Sequence, residues 1–406
     1  MFWHKTSGGN VRNAVQVVAA LLITVLFVGA CQQPAPVAPP AKQAAPTTAP
    51  AKQEAQPKAT SPAPVATAPA AAQKPAAPKP QEPPEKPLSP PVNVKVGMLS
   101  PAGSSDAGTL IAVEKGYFKE EGINVEVVPF SNLGQMIAPL STNQIEVGGG
   151  MLGAALFNAT SRDIPLKIVA DKGSVPKGFG YLAMVVRKDL VESGAFKSDA
   201  DLKGRTFAYN TSGGITELSL EAVLAKANLT RKDINEQVIP SMPDILTALA
   251  NKAVDAGFFI EPSVVQGVDR GIIVRWKGFD EIYPNQQIAV LVYSPKFGTA
   301  ASAAAANRFM VAYLRGVRDY YDAFKSGKNK QEVISIMTKT TPLKDAALFE
   351  RMVPVGLNPN GSVNAETITN DAKWLTEKGF VKQPIDAKTL IDSQYVDYAV
   401  KRLGKY

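Results

Sequence analysis

The chain has 406 residues, 45% of them hydrophobic and 20% charged, and a formal net charge of +8. Its single histidine is His4 and its single cysteine is Cys31. Everything beyond Cys31 therefore lacks the side chains for Ser–His–Asp or Cys–His nucleophiles and for ordinary zinc, copper, haem or iron–sulfur ligation, and no internal disulfide can form.

Lys5 and Arg12 precede an uncharged run from Ala14 to Ala30, 17 residues long, somewhat short of the roughly 20 needed to span a bilayer. The run ends in Val28, Gly29, Ala30 and Cys31, small residues ahead of a cut site, and reads as a signal peptide over 1–30. A cysteine at the first position after it resembles the lipobox of bacterial lipoproteins, whose thiol is acylated. An uncleaved anchor with an incidental Cys31 is the other reading. Either way the remainder lies outside the cytoplasm, tethered to a membrane.

Residues 31–91 form a Pro/Ala-rich tether: between Gln32 and Pro91, 18 residues are proline and 17 alanine. Such a stretch has little to bury and reads as a disordered, extended spacer of polyproline character. It carries six lysines against three glutamates, so only +3 of the net charge falls on residues 92–406. That weak excess gives no case for nucleic acid as a partner.

From residue 92 onward, short apolar runs alternate with amphipathic stretches, the pattern of an α/β fold. Strands are expected at 92–99, 123–130 and 145–151, in "LKIVAD" and in "YLAMVVR". A single helix is expected over 108–122, with Leu110, Ile111, Val113, Tyr117 and Phe118 at core spacing and Gly122 as terminator. A second set runs from "DLKGRTFAYN" through a helix over 213–227, the helix "MPDILTALANKA" and the strand "VDAGFFI". It closes with "IIVRWKG" and "QQIAVLVY", and helices follow from Ser302. The expected architecture is two doubly wound α/β lobes joined by a two-segment hinge, with a helical C-terminal extension. Lobe 1 takes residues 92–183, lobe 2 takes 184–288, and 289–406 return to lobe 1 and the C-terminal helices.

Ligands of open α/β sheets bind beyond the carboxyl ends of strands, among loops and helix starts. Five loops qualify: 100–108, 130–134, 148–153, 210–217 and 258–262. They nominate Ser104, Ser105 and Asp106; Ser131 and Asn132; and Gly149, Gly150 and Met151. Asn210, Ser212, Gly213, Gly214 and Thr216 form an amide-lined helix start suited to an anion or a polar heterocycle edge. Either an ordinary cap or a solute cradle would need these residues, and two such loops in matching positions favour the cradle. Phe258 and Phe259 alternate sides of a strand, so one faces the cleft and the other the core. Phe258, Tyr181 and Glu261 are taken as candidates; a helix-start carboxylate is the alternative role of Glu261. No arginine lies in the five loops, so a bidentate oxyanion clamp is not visible.

"AVEKGYFKEEGINVEVVPF", "PLSTNQIEVGGG", "DLKGRTFAYNTSGG" and "ILTALANKAVDAGFFIEP" together resemble consecutive blocks of one family. It is the type II periplasmic binding proteins of the nitrate/sulfonate/taurine and thiamine-pyrimidine-precursor kind (NMT1/THI5-like, SsuA-like). The resemblance implies the extracytoplasmic solute-binding component of an ABC importer, not an enzyme. It would be a monomer without cofactor or metal that captures a small organic solute (sulfonate, carboxylate or heterocycle) for a membrane permease, anchored through lipid on Cys31. Two other readings stand beside it. A cell-surface sensor or adhesion protein on a proline-rich stalk would show a shallow cleft and a large exposed apolar patch. A carboxylate-based hydrolase would need two close acids in the cleft.

Overall fold

The computed structural model describes residues 85–99, 103–162 and 164–406. The expected leader, Cys31 and the expected tether up to residue 84 lie outside the described residues. Ten strands make two five-stranded sheets. The first contains β1 (Val92–Leu99), β2 (Ile123–Phe130), β3 (Val147–Met151) and β4 (Lys167–Ser174). The second contains β5 (Leu182–Arg187), β6 (Thr206–Tyr209), β7 (Asn235–Val238), β8 (Ala256–Ile260) and β9 (Ile273–Gly278), and β10 (Gln287–Tyr293) belongs to the first. Strand order is β2-β1-β3-β10-β4 in one sheet and β7-β6-β8-β5-β9 in the other.

The two sheets share one plan. Three strands run parallel, and the fourth position is taken by a strand antiparallel to both neighbours: β10 beside β3 and β4, β5 beside β8 and β9. Each reversed strand is the one the chain reaches directly after crossing from the other sheet. The crossovers, 175–181 and 279–286, thus feed the middle of each sheet rather than an edge. Because β5 hydrogen-bonds wholly within the second sheet, the outward crossing is complete before Leu182. Fully buried runs such as "LAMVVR" and "QIAVLVY" fit these central positions, since covering both faces removes any alternation.

The helix expected over 108–122 is two helices, Ala107–Glu114 and Tyr117–Glu120. Gly116 at φ 76° breaks them, a left-handed conformation that glycine adopts without a Cβ clash. Phe118 remains buried, whereas Val113 is exposed. Ala107–Glu114 packs on the long helix Ala303–Ser326 through two glycines. A Cβ at Gly316 would sit 2.1 Å from the Gly108 carbonyl oxygen, and one at Gly108 would sit 2.7 Å from Val317 Cγ2. A backbone oxygen cannot swing aside as a side chain can, so Gly316→Ala must push the helices apart. A loss of about 1–3 kcal/mol is expected in urea denaturation; an unchanged midpoint would show that the pair is not in close contact.

Residues 85–91, the end of the Pro/Ala-rich stretch, lie against this domain. Glu85 pairs with Arg308 at 2.8 Å and accepts from Tyr398 Oη at 2.9 Å, and Leu88 N donates to the Glu121 carbonyl. The helix Ala365–Glu377 and the turn after it tie the two sheets' helices together. Trp374 Nε1 donates to Glu221 at 2.8 Å, and Asn158 Nδ2 donates to the Phe380 carbonyl at 2.8 Å. Among the described residues no helix is long and apolar enough to cross a membrane.

Candidate solute site between the sheets

A cavity of about 460 Å³ lies between the two sheets. The first sheet contributes Leu99, Met151 and Ala289, the second Ile260, and the outward crossover Tyr181. The C-terminal segment closes it with Thr341–Leu343, Phe349, Val353 and Val355. That segment is held to the end of β4 by the bridge Ser174–Gly356, to the crossover by Gly180–Val355, and to the second lobe by a bidentate Arg351–Asp269 pair at 2.7 and 2.8 Å.

Gly103, Ser104 and Ser105 enter the wall at the start of the helix Ala107–Glu114. One layer beneath, Asp106 is 1% exposed and accepts from Gly103 N at 2.9 Å. Its other oxygen is 2.7 Å from Lys172 Nζ, and Lys172 is 2% exposed. Lys172 Nζ also donates to Ser105 Oγ at 3.3 Å. The buried ammonium is accommodated because Gly149 has no side chain: a Cβ there would lie 2.6 Å from Lys172 Cδ.

Tyr181 is 3% exposed and lines the cavity. Burial raises its pKa far above the usual range, so it stays protonated at neutral pH. Glu261, across the cavity, accepts from Val265 N at 3.2 Å and Val353 N at 3.4 Å, with Arg275 Nη1 at 3.4 Å. Burial pushes its carboxyl up, and the two amides and the guanidinium oppose that. Glu261 accepts from two loop amides, one of which belongs to the C-terminal segment.

Of the residues nominated from sequence, the structure brings Ser104, Ser105, Met151, Tyr181 and Glu261 to this cavity. Asp106 and Gly149 lie behind the wall, and Gly150 packs against Leu133. Ser131 and Asn132 stand at a separate helix start: Asn132 accepts from Gln135 N, and Ser131 N donates to the Gln135 side chain. Phe258 does not reach the cleft. It is fully buried between Phe207 and Phe279, with ring centroids 4.9 Å away in both cases, and Phe259 is buried in a core on the other side of the sheet.

The loop 210–217 supplies its own anion. Glu217, 3% exposed, accepts from Gly213 N at 2.7 Å and Ser212 Oγ at 3.2 Å, and Arg231 pairs with its other oxygen. Thr216 Oγ1 donates to Asn210. Gly214 forms a β-bridge with Gly153, and Gly213 packs on Phe380, so the two glycine loops touch each other. The gap they leave, lined also by Asp371 and Trp374, is about 10 Å³, roughly one water. These residues therefore form a lobe–lobe contact separate from the cavity.

Lys172 and the closing segment 341–355 escaped the sequence reading. A lysine in "VADKGS" looks like a surface residue, and the one signal for its burial is the run of three glycines on another strand. The closing segment starts about 80 residues beyond the last nominated loop, 258–262, and nothing local marks its return.

Two α/β lobes with a reversed strand supplied across a double crossover, enclosing a cavity, define the type II periplasmic binding protein fold. The sequence profile described as NMT1/THI5 like matches residues 104–323. That is more than half of the chain, which belongs to this family. No curated protein sequence matches the chain. In structure it is similar to the periplasmic aliphatic sulphonate binding protein SsuA from Escherichia coli. The TM-score is 0.59 and the identity 19%, over 74% of this chain and 92% of that one. It is similar also to a putative sulfonate ABC transporter periplasmic sulfonate-binding protein SsuA from Methylobacillus flagellatus. There the TM-score is 0.60 and the identity 18%, over 78% and 96%. For the periplasmic nitrate-binding protein NrtA from Synechocystis the TM-score is 0.57 and the identity 15%, over 79% and 90%.

Proposed function

We propose that the chain is the extracytoplasmic solute-binding component of an ABC importer, which captures a small organic solute between its lobes and delivers it to a membrane permease. The observation that carries this reading is the 460 Å³ cavity, built jointly by both sheets, a crossover and the C-terminal segment. A site assembled from both lobes gains contacts when they close and loses them when they open, which is what capture and release require. A cavity of this volume is not the shallow cleft of a stalked adhesion protein. The likeness to sulphonate- and nitrate-binding periplasmic proteins supports the same reading.

Binding here needs no catalytic step and no cofactor, and the chain works as a monomer. The leader 1–30, acylation at Cys31 and a spacer that ends at residue 84, since Glu85 and Leu88 are held by the domain, complete the proposal: a lipid-anchored receptor held at the length of its tether. The test is native mass spectrometry of the full chain purified gently from its host. A co-purifying small molecule of defined mass is expected, and readdition of that molecule should raise the melting temperature by mass action, since about 2.7 kcal/mol is gained at a hundred times Kd. A persistently ligand-free mass after incubation with host extract would overturn the receptor reading.

A further inference from the structure

Resting on the receptor reading, we propose that the ligand is an uncharged, largely apolar molecule whose one hydrogen-bond-accepting end is held by the hydroxyls of Ser105 and Tyr181.

The charge assignment follows from what lies behind the walls. Among the described residues, no lysine or arginine side chain lines the cavity. The cation nearest its Ser105 wall, Lys172, is 2.7 Å from Asp106 with both side chains almost wholly buried, and its stem is fixed in the space Gly149 leaves. At the opposite wall Arg275 is engaged with Glu261 and with the Gly180 carbonyl. Each positive charge is answered by the protein's own carboxylate. A bound anion would give up its hydration with no free cation to face and with Glu261 in the same wall. Such an uncompensated buried charge is strongly disfavoured.

The hydrogen-bonding sense follows from the same contacts. Ser105 Oγ accepts from the Lys172 ammonium, which leaves its own proton to donate. Tyr181 is nearly fully buried and protonated. Tyr181 lines the cavity, and its proton is available to an acceptor bound there. An amide, ketone, ether or heteroaromatic nitrogen provides that acceptor without bringing charge. Apolar side chains, Leu99, Ile260, Leu343, Phe349 and Val355 among them, make up most of the rest of the wall, beside Ser104, Gln266, Thr341 and Glu261.

The test compares two probes of nearly equal shape, biphenyl-4-carboxamide and biphenyl-4-carboxylate, by titration calorimetry on the full chain. The amide is expected to bind at least about tenfold more tightly than the carboxylate, and Met151→Trp, which fills the mouth from an exposed position, to weaken it at least as much. Equal or tighter binding of the carboxylate would overturn the charge assignment. Binding of neither probe would overturn it too, because an apolar uncharged site of this size should accept the amide. Failure of the receptor reading is read separately: an anionic solute captured from host extract, seen by native mass spectrometry, would keep the receptor and refute the uncharged ligand, whereas no capture and no probe binding would refute both.

Discussion

Lys172→Met is expected to destabilise the protein by about 3–5 kcal/mol, a large part of the roughly 5–15 kcal/mol that typically holds a domain folded. The substitution keeps most of the buried stem and removes only the ammonium. Asp106, 1% exposed, would then stand 2.9 Å from one amide donor with its second oxygen facing no cation. The loss is mainly the penalty of that stranded carboxylate, and only in part the attraction of the pair. The double variant Asp106→Asn, Lys172→Met should therefore recover most of the stability, within about 1 kcal/mol of the parent. Urea denaturation of the four members of the cycle measures both. A Lys172→Met protein within 1 kcal/mol of the parent would mean that water reaches Asp106.

Asp371 is expected to make the protein less stable as pH rises. It lies on the helix Ala365–Glu377 and accepts from Gln286 Nε2 at 2.7 Å, beside the inward crossover. Burial pushes its carboxyl up to about 8, opposed by the Gln286 hydrogen bond. One of its oxygens and Gln286 Oε1 are buried without partners among the described residues, as suits a site holding one more proton. An unfolded aspartate titrates near 3.9. Between about pH 4 and pH 8 the folded state thus binds more protons than the unfolded one, and the unfolding free energy falls across that window. Below it the contribution is nil, and above it the full penalty is present, on the order of a few kcal/mol. Asp371→Asn should flatten the difference, being more stable than the parent at pH 8–9 and not at pH 4. Asp171, raised to about 6 by burial despite donors from Asn358, Gln287 and Gly173, contributes a slope of the same sign that survives the substitution. Parallel stability curves for parent and variant would show that Asp371 is ionised throughout.

The lobes and strands were legible because their signals are local. Buried runs such as "LAMVVR", and glycines placed just after helices, depend on a few neighbours in the chain. The strand "NEQV" was missed because it is a four-residue sheet edge, largely exposed and without alternation. The site was only half legible for a related reason. Ser105, Tyr181 and Glu261 stand at strand or helix ends, where the topology alone points. Glycine loops, by contrast, have the same sequence whether they hold a solute or another loop. At Gly213 the deciding facts are Glu217, four residues on, and Phe380, far along the chain. Phe258 and Phe259 failed as a pair because both faces of β8 are covered, so alternation separates two cores rather than core from cleft.

The closed ion pair behind the Ser105 wall divides the molecule's inherited constraints into two layers. Asp106, Lys172 and Gly149 are fitted to one another, and a change in any one strands the others; this layer can vary only in concert. The apolar side chains in front of it, Leu343, Phe349 and Val353 among them, hold no charge in place. They are free to exchange size and shape one at a time while the frame stays intact. A lineage built on such a frame can acquire a new cargo by drift in the outer layer alone.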